Sequence, residues 1–523
     1  MSEPRVDHAG TTIETIQSLL VAFACAMIFR GFVVEGFVIP TGSMAPTLMG
    51  QHVLIESRQT GSVTPVGLDT MGKKPNASLL RDHLAGRQQP FEKSSIKASG
   101  ARMGDRILVA KWLYPFMEPD RWDAIVFRMP ANPEGPSGTY IKRLIGLPGE
   151  TIWIVDGDVF VRDLGDERFH VVRKPRHVRD AVWQRVWDSS NLPTAPGRLK
   201  RPWTGWPWQG APQSAWTTAG AVLESAGEGT DTLIWDGERF PLDDWNAYNM
   251  FTPVSGDVPV SDLRVAATVT PESAGVSVAF ELSAREQTFT YRLDNGVASI
   301  EMRPNGPGGT PRRAEAKVDV MSPNHAVRIV AEQIDQAARL IVNDSEVLVL
   351  EYDWSPRERL IASSGLQDAA SMSDAELARR IPSRPTMQWK FSGGPVKVSN
   401  MQVDRDLYYR PAVLTSMSRK HAPLPEFEEQ VRPGRPAAAT HPDALITLGP
   451  DQFFVLGDNS GRSLDGRLWG APAPIAAEQV DPTPFVVPRD LLIGKAFVVY
   501  FPAPLTSGIG IPIPDFGRLR FIH

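Results

Sequence analysis

The chain has 523 residues, too many for one domain and enough for two or three, with 42% hydrophobic and 22% charged residues, an ordinary globular balance. Its 55 Lys and Arg against 60 Asp and Glu leave a net charge of −5, which gives no general case for a nucleic-acid partner. The single cysteine, Cys25, excludes an intramolecular disulfide and leaves the redox compartment open, because oxidising compartments permit disulfides without requiring them.

Residues 1–14 read as a polar tail. Thr15 to Phe29 is an uncharged apolar run, and apolar residues resume after Arg30 in Gly31-Phe32-Val33-Val34. Arg30 can snorkel to a headgroup region, so residues 15–35 read as a retained transmembrane anchor close to the ~20 residues a spanning helix needs. A cleaved secretory signal fits less well, because residues 1–14 mix Glu3, Asp7 and Glu14 with Arg5 and no clean small-x-small cleavage site precedes the Pro-Thr-Gly-Ser turn. One arginine flanks each side of the run, Arg5 and Arg30, so loop charge does not decide the orientation. About a dozen residues beyond it comes Pro40-Thr41-Gly42-Ser43-Met44-Ala45-Pro46-Thr47-Leu48, which places a serine at a membrane surface.

Further along, Gly104-Asp105-Arg106-Ile107-Leu108-Val109-Ala110-Lys111 reads as a turn into a β-strand, and Trp122 to Arg128 as its companion. Tyr140-Ile141-Lys142-Arg143-Leu144-Ile145-Gly146 is a strand ending at a Leu-Pro-Gly turn. Alternation along it sends Lys142 and Arg143 to opposite faces. Taken alone, these are two solvated cations. Near the end, Phe453-Phe454-Val455-Leu456 runs into a loop dense in Gly, Asp, Asn and Ser (Gly457 to Gly470), with Asp465 and Arg467 near enough to pair. Taken alone, that loop satisfies its own backbone.

In this order and behind an apolar segment, the four blocks resemble the bacterial type I signal peptidase (leader peptidase) family, over residues 14–57, 101–160 and 445–503. The resemblance implies a Ser–Lys dyad with Ser43 as nucleophile and Lys142 as general base. It implies an oxyanion donor at Thr41 beside the Ser43 N–H, a base-orienting hydroxyl at Ser463, and supporting roles for Arg143, Asp458, Asp465 and Arg467. Gly461, Arg462 and Gly466 depart from the family's pattern, which puts the detail of that loop in question. Also implied are cleavage of exported preproteins after small residues at −1 and −3, single-pass anchoring in the cytoplasmic membrane with the catalytic unit on the outer face, contact with membrane lipid, and no metal or organic cofactor.

The chemistry is coherent in its own right. A serine hydroxyl needs a base to take its proton, and a lysine serves at neutral pH only when desolvation or a nearby cation lowers its pKa. Ile141, Leu144 and Ile145, with the Phe453–Leu456 strand, supply apolar surroundings. Nine histidines are present but none lies in the four blocks.

Between the lysine strand and the Gly-Asp-Asn loop lie some 300 residues of alternating strands. Residues 161–420 read as an inserted β-sandwich of concanavalin or jelly-roll pattern, an accessory domain whose ligand could be a glycan or an envelope protein. Asn295-Gly296 marks a tight hairpin. Trp203, Trp206, Trp208 and Trp216 cluster in a Pro/Gly-rich segment, where packing onto the sandwich competes with sugar stacking. Residues 58–100 read as a polar insertion loop, 421–444 as a linker, and 445–523 as the last part of the protease core with a solvated tail. The fold class expected is mainly β: a transmembrane helix, a signal-peptidase-like β protease core (36–57, 101–160 and 445–523) and the sandwich. Two rival readings remain, a non-catalytic envelope scaffold or glycan binder, and a self-cleaving repressor-type Ser–Lys protease.

Overall fold

A helix from His8 to Ile28 widens into a π-type turn over Phe29–Val33 and passes directly into the strand Val34–Val38. The structure, a computed structural model, describes residues 8–68, 80–86, 97–98, 100–134, 138–195, 206–212, 214, 216–227, 229–245, 258–306, 309–506 and 512–523. Within the first helix and turn, Ile13–Val33 is 21 residues long and apolar enough to cross a membrane. At 1.5 Å per residue it reaches about 30 Å, the thickness of a bilayer's hydrocarbon layer. Ile16, Leu19, Leu20 and Phe23 are exposed along it.

The strand Val34–Val38 forms one edge of an eight-stranded antiparallel sheet. Its order continues through Arg106–Ala110, Leu492–Phe501, Ala124–Arg128, Thr139–Gly146 and Gln452–Leu456 to Val487–Pro488. Arg520–Phe521 adds to the Leu492–Phe501 strand, so the tail pairs instead of being solvated. Two apolar clusters cover this sheet. One contains Ile39, Met44, Leu48, Ile107 and Val109. The other contains Ile125, Phe127, Leu144, Phe453 and Val455 and takes in Ala437, Ala438 and Ala439 from the expected linker. A smaller four-stranded sheet, with Glu150–Val155 and Asp158–Asp163 at its centre, follows the lysine strand. The described part of 58–100 carries Val63–Gly67, which pairs with His52–Glu56, and Lys97–Ala98 on the other side of the same strand. Residues 69–79, 87–96 and 99 lie outside the described residues.

The insert is a two-sheet β-sandwich. One sheet centres on Leu263–Pro271 and Val396–Arg405, the other on Ser277–Ala284 and Thr386–Ser392. Their facing sides bury Phe280, Tyr291, Trp389, Val265 and Leu340. Asp294 pairs with Val297 across Asn295-Gly296, and both turn residues have positive φ (46° and 75°), the backbone a two-residue hairpin requires. Trp206 and Trp208 are buried in the same core and Trp216 packs against it, so all three are packing residues; Trp203 lies outside the described residues.

The sandwich packs against the smaller sheet and the segment that follows it through buried charge. The turn after Glu150–Val155 presents Asp156, which accepts from Arg285 Nε (2.8 Å) and Arg359 Nε (3.0 Å) of the sandwich. Lys174 Nζ bridges Asp335 (2.6 Å) and Asp406 (2.7 Å). Asp158, Asp335 and Asp406 lie close enough together to share a cation, and Lys174 with Arg359 provides that charge from within the protein. Separating such groups leaves buried charges unpaired at several kcal/mol each, so they fix one orientation.

Candidate active site

The serine turn is pinned from both sides. Met44 and Leu48 are fully buried in the cluster beneath the sheet edge. The turn's flanks are tied to Asp105: Ile39 N–H donates to its carbonyl (2.9 Å) and Met49 N–H to its carboxylate (2.8 Å). Asn459 closes the arrangement from the far end of the chain. Its backbone N–H donates to Ser43 O (3.1 Å) and its side-chain amide to Gly42 O (3.0 Å). Ser43 is thereby held half-buried, and its own N–H makes no hydrogen bond among the described residues.

Lys142 comes from the neighbouring part of the same sheet. Its Nζ donates to Ser43 Oγ at 2.8 Å and to the Ile141 carbonyl at 3.0 Å. The side chain is 2% exposed, and burial is the main reason its pKa falls from 10.5 to about 8. Asp465 and Asp458 pull it back up, and Arg467 opposes them. A buried amine with a depressed pKa, in contact with a hydroxyl, is the arrangement by which a lysine can accept a serine's proton.

Two arginine–aspartate pairs surround the dyad. Arg143, on the opposite face from Lys142, meets Asp458 through Nε (2.8 Å) and Nη2 (2.7 Å), and Thr47 Oγ1 donates to the same carboxylate (2.5 Å). Arg467 meets Asp465 through Nε (2.9 Å) and Nη2 (2.8 Å), while Gly457 N–H donates to Asp465 (3.0 Å). All four side chains are essentially buried. Each aspartate thus has its charge matched before it can fully oppose the deprotonation of Lys142. The other two expected hydroxyls make no hydrogen bond to Ser43 or Lys142 among the described residues. Thr41 is exposed two residues before Ser43, with no hydrogen bond from its hydroxyl among the described residues. Ser463 Oγ is buried, and among the described residues it has no hydrogen-bond partner, Lys142 included. It lies where a Cβ on Gly457 would come within 2.1 Å of it and within 2.6 Å of the Ser43 carbonyl, so only glycine fits at 457.

Several contacts could not be read from the blocks. Arg410, where the chain leaves the sandwich, accepts from Arg467 Nη1 through its carbonyl (2.8 Å) and donates its N–H to Ser460 Oγ (2.8 Å). Arg520 from the tail donates to the Thr47 carbonyl, and Arg143 Nη1 to the His523 carbonyl (2.9 Å). No local pattern announces such long-range backbone contacts. Asn459 stands inside the Gly-Asp-Asn block, so the block itself was its signal.

Comparison with known proteins agrees with this region. The family model described as "Signal peptidase, peptidase S26" matches residues 12–70 and 87–181. Signal peptidase I of Rickettsia bellii (strain OSU 85-389) is 27% identical over 158 residues, which is 30% of this chain and 42% of that protein. Signal peptidase I of Rickettsia prowazekii (strain Madrid E) is 25% identical over 171 residues, 33% of this chain and 51% of that protein. The chain spans about half the length of these curated relatives. Among solved structures, the carbohydrate binding module CBM66 from Bacillus subtilis covers 38% of this chain and 95% of its own at 10% identity and a TM-score of 0.24. Galectin LEC-6 of Caenorhabditis elegans covers 28% of this chain and 83% of its own at 14% identity and a TM-score of 0.18. The stretch matched by the signal peptidase S26 model, residues 12–70 and 87–181, carries both Ser43 and Lys142.

Proposed function

We propose that the protein is a membrane-anchored endopeptidase that removes signal peptides from exported preproteins through a Ser43–Lys142 dyad. The observation that carries this reading is the 2.8 Å contact between Lys142 Nζ and Ser43 Oγ at a lysine that is 2% exposed. Neutral Lys142 takes the hydroxyl proton as Ser43 Oγ attacks the scissile carbonyl. The protonated amine then returns that proton to the leaving nitrogen, and the acyl-serine ester is hydrolysed by a water that Lys142 deprotonates. The Ser43 N–H and the Thr41 hydroxyl receive the developing oxyanion, a contribution of about 3 kcal/mol per donor. Arg143–Asp458 and Arg467–Asp465 hold the loop that seats the serine turn, and Ser463 fills the space against Gly457.

Helix Ile13–Val33 is the anchor, and its direct passage into Val34–Val38 sets the catalytic sheet at the bilayer surface. Lys111 N–H bonds to the Val33 carbonyl (3.0 Å), which brings the exposed Trp112, Phe116 and Met117 to the helix exit, where apolar and aromatic side chains suit a lipid interface. The catalytic unit stands on the outer face, where preproteins emerge, and small residues at −1 and −3 define the cut. The sandwich is an accessory domain. Processing of a model preprotein by the full chain in lipid nanodiscs tests the reading. Wild type should release a mature product with the expected N-terminus, while Ser43→Ala and Lys142→Ala should each lose at least a thousandfold in rate. Undiminished cleavage by either variant would remove the dyad.

A further inference from the structure

Where the protease part meets the sandwich there is a cleft of about 480 Å³, within the range of small-molecule sites. It runs between the strand Glu150–Val155, the helices Pro356–Ser364 and Asp374–Leu377, and the return segment after Tyr408. Ile154, Leu360 and Leu377 line its depth and are buried; Ile381 and Val413 line its mouth and are 71% and 56% exposed. Large apolar side chains left open at the rim of an apolar cleft mark a surface suited to being covered.

The polar groups narrow the choice of occupant. Inside the cleft, Ser363 and Ser364 donate back to their own helix (2.8 Å each), Thr440 donates to the Ala437 carbonyl (2.8 Å), and the His441 ring bonds to Ala375 O and Asp443 N. Asp156 is taken by Arg285 and Arg359. Trp153 and Tyr409, 6% and 1% exposed, are the exceptions, with an indole N–H and a hydroxyl that have no hydrogen-bond partner among the described residues. A peptide chain entering such a space would leave its own N–H and C=O groups unpaired at a cost of a few kcal/mol each, whereas a hydrocarbon chain leaves none. At the mouth stand Arg379 and Arg380, both exposed, whose guanidinium groups make no hydrogen bond or ion pair among the described residues. The nearby Glu376 carboxylate is occupied by its Ser373 cap. The mouth therefore offers two guanidinium groups that make no hydrogen bond among the described residues, with the Glu376 charge near them.

We propose that this cleft binds a free single-chain anionic amphiphile, an acyl carboxylate, with its chain among Ile154, Leu360 and Leu377 and its carboxylate on Arg379 and Arg380. The site is separate from the dyad and stands or falls independently of the peptidase reading.

The test is photolabelling of the full chain in zwitterionic nanodiscs with a dodecanoic acid that carries a diazirine near its methyl end. The expected adducts fall on Trp153–Val155 and on 360–381. Unlabelled dodecanoate should compete them away, and dodecanol should do so about tenfold less well, the loss expected for an exposed charge-assisted contact. The double variant Arg379→Glu/Arg380→Glu should lose about tenfold of that labelling, with labelling of the 8–33 helix unchanged as internal control. Ala378→Trp, which fills the cleft, should abolish it; if that variant does not fold, the exposed double variant decides. Adducts confined to the 8–33 helix would overturn the proposal. Equal competition by dodecanol would overturn the anion contact. Equal labelling by a diazirine-bearing diacyl phosphatidic acid would assign the cleft to bilayer lipid and refute a free acyl carboxylate.

Discussion

Lys142→Met separates the energetic cost of the site from its chemistry. Burial brings the lysine from 10.5 to about 8. At 1.36 kcal/mol per pKa unit, folding therefore works against a cost of about 3 kcal/mol while the amine is protonated. Below pH 8 both the folded and the unfolded lysine hold a proton, and the full cost stands. Between pH 8 and 10.5 the unfolded chain binds a proton that the folded one has released, so stability rises with pH; above 10.5 the cost is gone. Methionine has similar length and no charge, and it forfeits the hydrogen bonds to Ser43 and to the Ile141 carbonyl, about 1 kcal/mol each. The variant should be inactive yet more stable than wild type by about 1 kcal/mol at pH 7, with the gain turning into a loss of about 1 kcal/mol at pH 10. Urea unfolding at both pH values, read by a deuterium pulse on the Thr139–Gly146 amides, measures this. A variant less stable than wild type at pH 7, or a gain of equal size at both pH values, would refute the argument.

Other outcomes follow from the same geometry. In wild type, kcat/KM for a preprotein should rise with pH along a curve of apparent pKa about 8 and level off above it, because the neutral amine is the active form; a profile flat from pH 6 to 9 would count against Lys142 as base. Asn459→Ala removes the side-chain bond to Gly42 O and should lower kcat about tenfold with little change in KM, since about 1–1.5 kcal/mol of positioning is lost. Gly457→Ala drives a methyl group into Ser463 Oγ and the Ser43 carbonyl, and should destabilise by about 1–3 kcal/mol and cut processing at least a hundredfold; wild-type rates would show that the loop yields. Arg143→Met strands Asp458 as an unpaired buried charge and should cost about 3–5 kcal/mol in urea unfolding.

Sequence reading located what local pattern encodes. The period-two alternation around Lys142 and Phe453–Leu456 predicted strands that form in the sheet, and Asn295-Gly296 predicted its hairpin because positive φ at two successive residues has a residue-type signature. The approach of Ser43 to Lys142 came from the resemblance of four blocks, since nothing in either residue's neighbours states that they meet. The polar composition of 58–100 suggested a loop, yet Val63–Gly67 pairs with His52–Glu56 because strand formation there depends on a partner (His52–Glu56) outside the segment. The run of three alanines, 437–439, looked like linker because small residues carry little hydrophobic signal, although they fill the core beside Leu144. Ser463 was expected to hold the amine and instead lies against Gly457, a difference of side-chain direction within a loop that no spacing rule fixes.

The dyad and its supports are far apart along the chain: 99 residues separate Ser43 from Lys142, and 315 separate Arg143 from Asp458. A ribosome adding about 5–20 residues per second would deliver Asp465 roughly 20–80 s after Ser43. Through that interval the serine turn has no Asn459 to seat it and the lysine no Arg467–Asp465 pair beside it. The order of synthesis thus leaves the seat of the serine turn incomplete until the whole sandwich has been made.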